Sequence, residues 1–396
     1  MDYLSTISAK EMRLINRSAI IQLLRRESPI SRTEISNKLN ISLPTVIRIV
    51  DELIEDQFVN ETPNAEWSGG RRRSLIEFNE AGNLVLGVDM GNETMTGAIA
   101  DFGGNLLNEG RQTRRSRNAE ENFNYLVELI QSLINTTDIK DRRLLGIGVG
   151  TPGVTNQKTG TVHLAPSLNW NEFPLQSRLR EHFHHPIIID NDANLGALGE
   201  YWFGAGQGAK NMVMLTVGTG IGAGIIQDGT VYRGSNNASG EIGYLMAGRE
   251  FLGKNYRKGF GALESIASAT GIINQASQEL RGSPMTHNEI NLETVFKSAL
   301  EGRKWAKTVL EKAVDYLSIA VSSICVLFDP DVIVLGGTIF YSSDSLIEQI
   351  KQNIEGSVLN MPQLVLSKLQ RNAVVMGAVT TVLQKTYESY IVKKLP

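Results

Sequence analysis

Leu84-Val85-Leu86-Gly87-Val88-Asp89-Met90-Gly91 reads as an apolar strand that ends in a carboxylate and a glycine. A second strand, Met95 to Asp101, follows directly, so backbone at the turn can approach a phosphate. Further apolar runs end in the same way. Leu144 to Val149 reaches Gly150-Thr151-Pro152-Gly153, and Pro186 to Ile189 reaches Asp190-Asn191-Asp192-Ala193-Asn194. Met212 to Val217 reaches Gly218-Thr219-Gly220-Ile221-Gly222-Ala223-Gly224, and Val332 to Leu335 reaches Gly336-Gly337. In open α/β sheets, ligands gather at the carboxyl ends of strands. One glycine loop is weak evidence. Strand ends of this kind, repeated in order, predict an α/β fold with a ligand cleft.

The N-terminal stretch is of a different kind. Arg17 to Arg26 carries Ile20, Ile21, Leu23 and Leu24 at helical spacing, and Ser28-Pro29-Ile30 breaks the pattern. Ser31 then opens a short helix with Glu34 three residues on, a capping box, over a buried face of Ile35 and Leu39. Asn40-Ile41-Ser42 turns the chain. Ser42 can cap a second helix, and Pro44 is tolerated in its first turn. Val46, Ile49, Val50, Leu53 and Ile54 form the core stripe of that Ser42–Glu55 helix, and Thr45 and Arg48 point away from it. Such a helix fits a DNA major groove with its N-terminal residues toward base edges. Phe58-Val59 and Leu75-Ile76-Glu77-Phe78 read as strands of a wing, with Ser68-Gly69-Gly70-Arg71-Arg72-Arg73 between them. There the arginines can reach phosphates or a narrow minor groove. The expected DNA contacts are therefore Ser31, Arg32, Ser42, Pro44, Thr45, Arg48, Gly69, Gly70, Arg71, Arg72 and Arg73. The competing reading is a helical protein–protein module with a basic loop.

The chain has 396 residues, which implies two or three domains. Its net charge of -3 does not suggest nucleic acid, but the charge is unevenly spread. Lys10 to Arg48 holds eight basic residues against three glutamates, whereas Asp51 to Glu66 holds six acids and no base. A basic surface followed by an acidic spacer suits one DNA-facing side. No apolar run is long enough to span a bilayer, and Met1-Asp2-Tyr3-Leu4 does not open a signal peptide, so a cytoplasmic protein is expected. Cys325, the single cysteine, lies in an apolar stretch and is expected in the core.

Taken together, these motifs resemble the ROK family of repressors and sugar kinases, across essentially the whole chain. The resemblance implies a two-lobed, actin-like (ribonuclease-H-like) sugar kinase fold behind a winged helix-turn-helix. It implies a winged helix-turn-helix over 1–79, an N-terminal α/β lobe over 80–190 joined by a C-terminal helix over 376–396, and a C-terminal lobe over 191–375. It also implies that Asn191 and Asp192 bind sugar, with Asp192 at the kinases' catalytic-base position. Glu241 and Glu264 match acceptors of sugar hydroxyls, and Gly153 and Asn169 would line the same cleft. In the wing, Arg73 stands where the family usually has proline.

The departures from the family pattern carry the functional reading. Family kinases read Asp-x-Gly-Gly-Thr-Lys where this chain has Asp89-Met90-Gly91-Asn92-Glu93-Thr94. Asn92 adds a side chain where backbone should meet phosphate, and Glu93 puts an anion beside it. The second loop, with Gly218, Thr219, Gly220 and Gly222, is intact. As vestiges of a phosphate site, the altered first loop predicts weak or no ATP binding and no useful kinase turnover, and the second is left for packing or a residual nucleotide site. The family's zinc ligands, one histidine and three cysteines, fall on Tyr244, Asn255, Arg257 and Ala262, so neither zinc nor another cofactor is expected. Tyr244 takes the place of a histidine that touches sugar in the family. Its bulk suggests a smaller sugar, a pentose such as xylose.

The expected protein is a sugar-responsive repressor, a homodimer or homotetramer that binds an operator in double-stranded DNA and a monosaccharide effector, with no membrane partner. One alternative is an active sugar kinase with an accessory DNA-binding head, and another is an architectural protein whose body senses nothing.

Overall fold

The computed structural model describes residues 9–63, 74–113, 118–139, 142–256, 260–281, 290–342 and 345–387. Three helices open it: Ala9–Glu27, Arg32–Leu39 and Leu43–Glu55. The capping box forms as the sequence requires, since Glu34 accepts from the Ser31 backbone N–H at 2.8 Å and the Ser31 hydroxyl accepts from the Glu34 N–H at 3.3 Å. Asn40 ends that helix in a left-handed conformation, φ 52. In the third helix Val46, Ile49, Val50 and Leu53 are fully buried, as the stripe predicts. Strands Val59–Pro63 and Ser74–Phe78 pair antiparallel, and Ile30–Ser31 adds a short third strand to Ser74–Phe78.

Two five-stranded sheets form the body. In the first, Asn83–Asp89 lies between its antiparallel neighbour Thr94–Asp101 and its parallel neighbour Arg143–Thr151, with Leu106–Thr113 and Ile187–Asn191 at the edges. In the second, Met212–Val217 pairs antiparallel with Ile221–Gln227 and parallel with Val332–Gly336. The helix Asp192–Phe203 leaves the first sheet and packs on the second. There the Gly224 backbone meets it so closely that a Cβ would lie 2.2 Å from the Ala193 carbonyl. The C-terminal helix Ala373–Tyr387 packs back on the first sheet, where a Cβ on Gly148 would meet the Ala378 carbonyl at 2.4 Å. These two helices cross backbone to backbone: a Cβ on Gly377 would sit 1.7 Å from the Leu195 carbonyl.

The head shares a core with the body. Ile20, Leu24, Ile49 and Phe58 are buried together with Val85, Phe102, Val379 and Val382. The Phe102 ring lies 5.1 Å from Phe58 and 5.9 Å from Phe78. Asn83, fully buried, donates from its side chain to the carbonyls of Asp56 and Gln57 at 3.1 and 3.2 Å. Cys325 is buried, as expected.

The acidic stretch is not a spacer. Four of its acids fold back onto the bases that precede them: Arg13 pairs with Glu52 at 2.6 Å, Arg17 with Asp56 at 2.8 Å, and Arg32 with both Asp51 at 2.8 Å and Glu61 at 2.6 Å. Lys38 pairs with Glu27 at 2.5 Å. The unpaired positive surface suggested by composition is thereby much reduced, and Arg26 and Arg48 remain exposed.

Candidate functional site

Three parallel strands end side by side at the cleft. Asp89 lies opposite Gly150, and Asn191 lies opposite Thr151. The Asn191 side chain caps the following helix, accepting from the Asn194 N–H at 3.1 Å and donating to the Gly153 carbonyl at 2.9 Å. Gly153 sits at φ 81, where a Cβ would fall 2.0 Å from the Leu164 carbonyl, so glycine is required. Asp192 opens the helix and accepts from the Ala193 N–H at 2.8 Å.

Carboxylates crowd this space, and their protonation reflects it. Burial raises the Asp192 carboxyl to about 6, against the opposing backbone bond from Ala193. Burial and then the Asp192 charge lift Asp89 to about 8. Burial, then Asp192 and Glu264, lift Glu241 to about 7. The Tyr244 phenol is raised by burial and then by Glu241 and Glu264. Asp89 and Asp192, Glu241 with Asp192 and Glu264, and Tyr244 with Glu241 and Glu264 are thus within electrostatic reach of one another. Glu264 also holds backbone there: it accepts from the Ile221 N–H at 2.8 Å and the Gly261 N–H at 2.9 Å, which leaves further lone pairs open. Asn169 is exposed at φ 55 on the turn closing Pro166–Leu168, and among the described residues it shares no hydrogen bond with this group.

One cleft contact was not legible in the sequence. Asp190, 1% exposed, is held by Arg233 through Nε at 3.1 Å and Nη2 at 2.6 Å. Asp190 lies on the first sheet, and Arg233 follows the second sheet's edge strand Thr230–Val231, so the pair crosses between lobes. The Asp190 carboxylate also accepts from the Asn191 N–H at 2.8 Å, which fixes the backbone carrying the expected sugar ligands. A buried charge demands a partner, but no local rule names one forty residues away.

At the first phosphate loop, Gly91 and Asn92 are half-buried and Glu93 is exposed. Gly218, Thr219 and Gly220 form the tip of a hairpin in which Val217 pairs with Ile221. Gly222 packs on the cleft helix, where an added Cβ would lie 3.3 Å from the Ala193 Cβ. The zinc positions do not fit a metal. Tyr244 and Asn255 offer a phenol and an amide, Ala262 is a buried methyl, and Arg257 lies outside the described residues. The surrounding loop is held by aromatic packing instead. Phe251 is buried edge-on against Tyr316 at 5.7 Å and Tyr256 at 6.4 Å, and the Tyr316 hydroxyl donates to Glu250.

The second candidate surface is the start of the Leu43–Glu55 helix. Ser42, Pro44 and Arg48 are exposed, and Thr45 is half-buried. The Ser42 hydroxyl pairs with that of Thr45 at 2.8 Å and does not cap a backbone N–H. Leu43 and Ile47, 39% and 41% exposed, stand on the same face. Neither stood out as a contact in the sequence, although exposed apolar residues on a recognition helix suit thymine methyl groups. Ser31 and Arg32 are placed differently from expectation. Ser31 is buried with its hydroxyl on Glu34, and Arg32 is clasped by Asp51 and Glu61. Both brace the head. Gly69, Gly70, Arg71, Arg72 and Arg73 lie outside the described residues.

The ROK family pattern matches residues 85–385. The chain belongs to the ROK family. A winged helix-turn-helix DNA-binding pattern matches residues 13–60 of this ROK protein. A xylose repressor of Caldicellulosiruptor bescii is 28% identical over 386 residues, covering 94% of this chain and 96% of its own. A glucokinase of Halalkalibacterium halodurans is 32% identical over 283 residues, covering 69% of this chain and 86% of its own. Among solved structures, a ROK transcriptional regulator homologous to the Escherichia coli MLC protein superposes with a TM-score of 0.82 at 26% identity, covering 95% of this chain and 97% of its own. No helix among the described residues of the ROK protein is long and apolar enough to cross a membrane.

Proposed function

We propose that this ROK protein is a sugar-responsive transcriptional repressor of carbohydrate genes, with a monosaccharide, xylose first among candidates, as effector. The observation that carries the reading is the exposed start of the Leu43–Glu55 helix on a head whose core is continuous with a ROK sugar-cleft body. The full-length similarity to a xylose repressor supports it.

In this reading Ser42, Leu43, Pro44, Thr45, Ile47 and Arg48 meet the major groove, and Gly69 to Arg73 meet the backbone or minor groove. Asn191, Asp192, Glu241, Tyr244 and Glu264 hold sugar hydroxyls, with Gly153 fixing Asn191. Two heads on a dimer read a palindrome, because two half-sites require two-fold symmetry. The exposed apolar residues Val326 and Leu327 of the Lys304–Phe328 helix offer a surface for the second copy. Sugar shifts operator affinity by favouring one arrangement of the lobes over another.

The test is salt-controlled binding to DNA upstream of the protein's own gene with a monosaccharide panel added. Release by one sugar supports the reading and names the effector, whereas indifference to every sugar removes the sensor half.

A kinase is the second reading, favoured by an Asp192 poised near 6 at the base position and by the glucokinase similarity. Asn92 and Glu93 oppose it. Sugar-dependent ATP consumption that disappears in Asp192→Asn would establish it.

A further inference from the structure

The first helix grips the body in two places. Its apolar face, Ile20, Ile21 and Leu24, is buried with Phe102, in the turn after Thr94–Asp101 of the first sheet, and with Val379, Val382 and Leu383 of the C-terminal helix. Next in the chain, Arg25 lays its guanidinium over Trp202 at 4.4 Å and near Phe203 at 5.9 Å. Trp202 and Phe203 end the 12-residue Asp192–Phe203 helix, whose first residue is the cleft carboxylate Asp192. At a rise of about 1.5 Å per residue this is a rod of about 18 Å. It carries the expected sugar ligand at one end and the head contact at the other.

The apolar seat and Trp202 belong to different lobes, whereas the Phe203 ring also lies against Gly104 in the turn before Leu106–Thr113 of the first sheet. The rod packs on the second sheet at Gly224, whereas the C-terminal helix packs on the first sheet at Gly148. They cross at Gly199 and Gly377 with no side chain between the backbones. Close-packed elements of this kind shift as rigid bodies and do not deform smoothly. A rotation of one lobe on the other would therefore move Trp202 relative to the apolar seat of the first helix. Arg25 reaches across with its cation over Trp202 at 4.4 Å and near Phe203 at 5.9 Å, an attraction that weakens once a ring moves beyond about 6 Å, so a displaced Trp202 either draws the first helix with it or loses the contact.

We propose that the Arg25 contact with Trp202 and Phe203 is the link through which sugar in the cleft sets the position of the recognition helix. This rests on the sugar-responsive repressor reading, and it assigns the regulation of that site to three residues outside both binding surfaces.

The test uses the full-length protein with Arg25→Met, Trp202→Leu and the double substitution. Fluorescence anisotropy measures binding to DNA upstream of its own gene, without and with D-xylose. D-glucose or N-acetylglucosamine replaces xylose if that sugar is the one that releases the unsubstituted protein. Methionine keeps a long apolar stem and removes the charge. Affinity of the DNA-free protein for sugar is expected to stay within about twofold, since the cleft is untouched. The ratio of operator affinities without and with sugar is expected to fall by about two- to fivefold. The double substitution should fall no further than either single one, because all remove the same contact. Arg25→Lys, which retains a cation, should keep most of the ratio.

A full ratio in both single variants overturns the proposal. So does an operator affinity lowered equally with and without sugar, which marks a mere brace. If no sugar moves the unsubstituted protein, the sensor reading itself fails, an outcome separate from either of these.

Discussion

Replacing Arg233 with methionine would leave the Asp190 carboxylate, 1% exposed, without its counter-charge. Asp190 would keep three donors: the Asn191 N–H at 2.8 Å, Gln157 Nε2 at 3.2 Å and Asn194 Nδ2 at 3.3 Å. Removing one partner of a fully buried pair costs about 3–5 kcal/mol. Here the remaining donors and the quarter-exposed Arg233 side chain lower that to about 2–3 kcal/mol. For cooperative units of lobe size this is a drop of roughly 4–10 °C in Tm. The carboxylate would also reorient, and the Asn191 backbone bonded to it would follow, so sugar affinity should fall by about tenfold. Differential scanning fluorimetry and titration calorimetry with the releasing sugar measure both effects. Asp190→Asn combined with Arg233→Met should recover part of the lost stability, because no uncompensated charge then stays buried. The reasoning fails if Arg233→Met melts within about a degree of the parent and binds sugar equally well.

Arg48→Ala should weaken operator binding by about 1–3 kcal/mol, read by anisotropy at fixed salt; unchanged binding would show that the exposed helix face does not meet DNA. The cleft carboxyls give a pH signature. Asp192 near 6, Glu241 near 7 and Asp89 near 8 all stand above their ordinary values, so the empty protein loses this contribution to stability as pH rises from the ordinary carboxylate range through those values. Sugar hydroxyls donating to the ionised carboxylates pull the pKa values down, so binding should release protons and tighten as pH rises through 6–7. Calorimetry in buffers of different ionisation heat reports that release, and its absence would remove the carboxylates from the binding site. Gly377→Ala should cost at least about 1–3 kcal/mol, because its Cβ would lie 1.7 Å from the Leu195 carbonyl; a parental Tm would deny the helix crossing.

What the sequence disclosed was local. Apolar runs that end in glycine or a carboxylate located the strand ends of both sheets, and Ser31 with Glu34 located a helix start, because these signals lie within a few residues of what they specify. The edge strand Leu106–Thr113 escaped notice because each of its residues is at least part-exposed and it carries little apolar signal. The acids from Asp51 onward looked like a spacer because the partners of Asp51, Asp56 and Glu61 lie between 19 and 39 residues away along the chain, and only the fold brings them together. Asp190 and Arg233, 43 residues apart, escaped for the same reason. In the cleft, the family pattern supplied Asn191, Asp192, Glu241 and Glu264, and local chemistry alone would have read Asn191 as a helix cap, which it also is.

The burial of Phe58 and Phe78 against Phe102 bears on how such regulators can be recombined. A reader head on a flexible tether could be grafted onto another sensor by joining two sequences in a loop. Here the cut would run through a shared interior. A chimera made at residue 79 would strip cover from Phe102, Val379 and Val382, and expose the underside of the head. Working exchanges between relatives should therefore carry those body residues along with the head, so that specificity for DNA and the surface beneath it are inherited together.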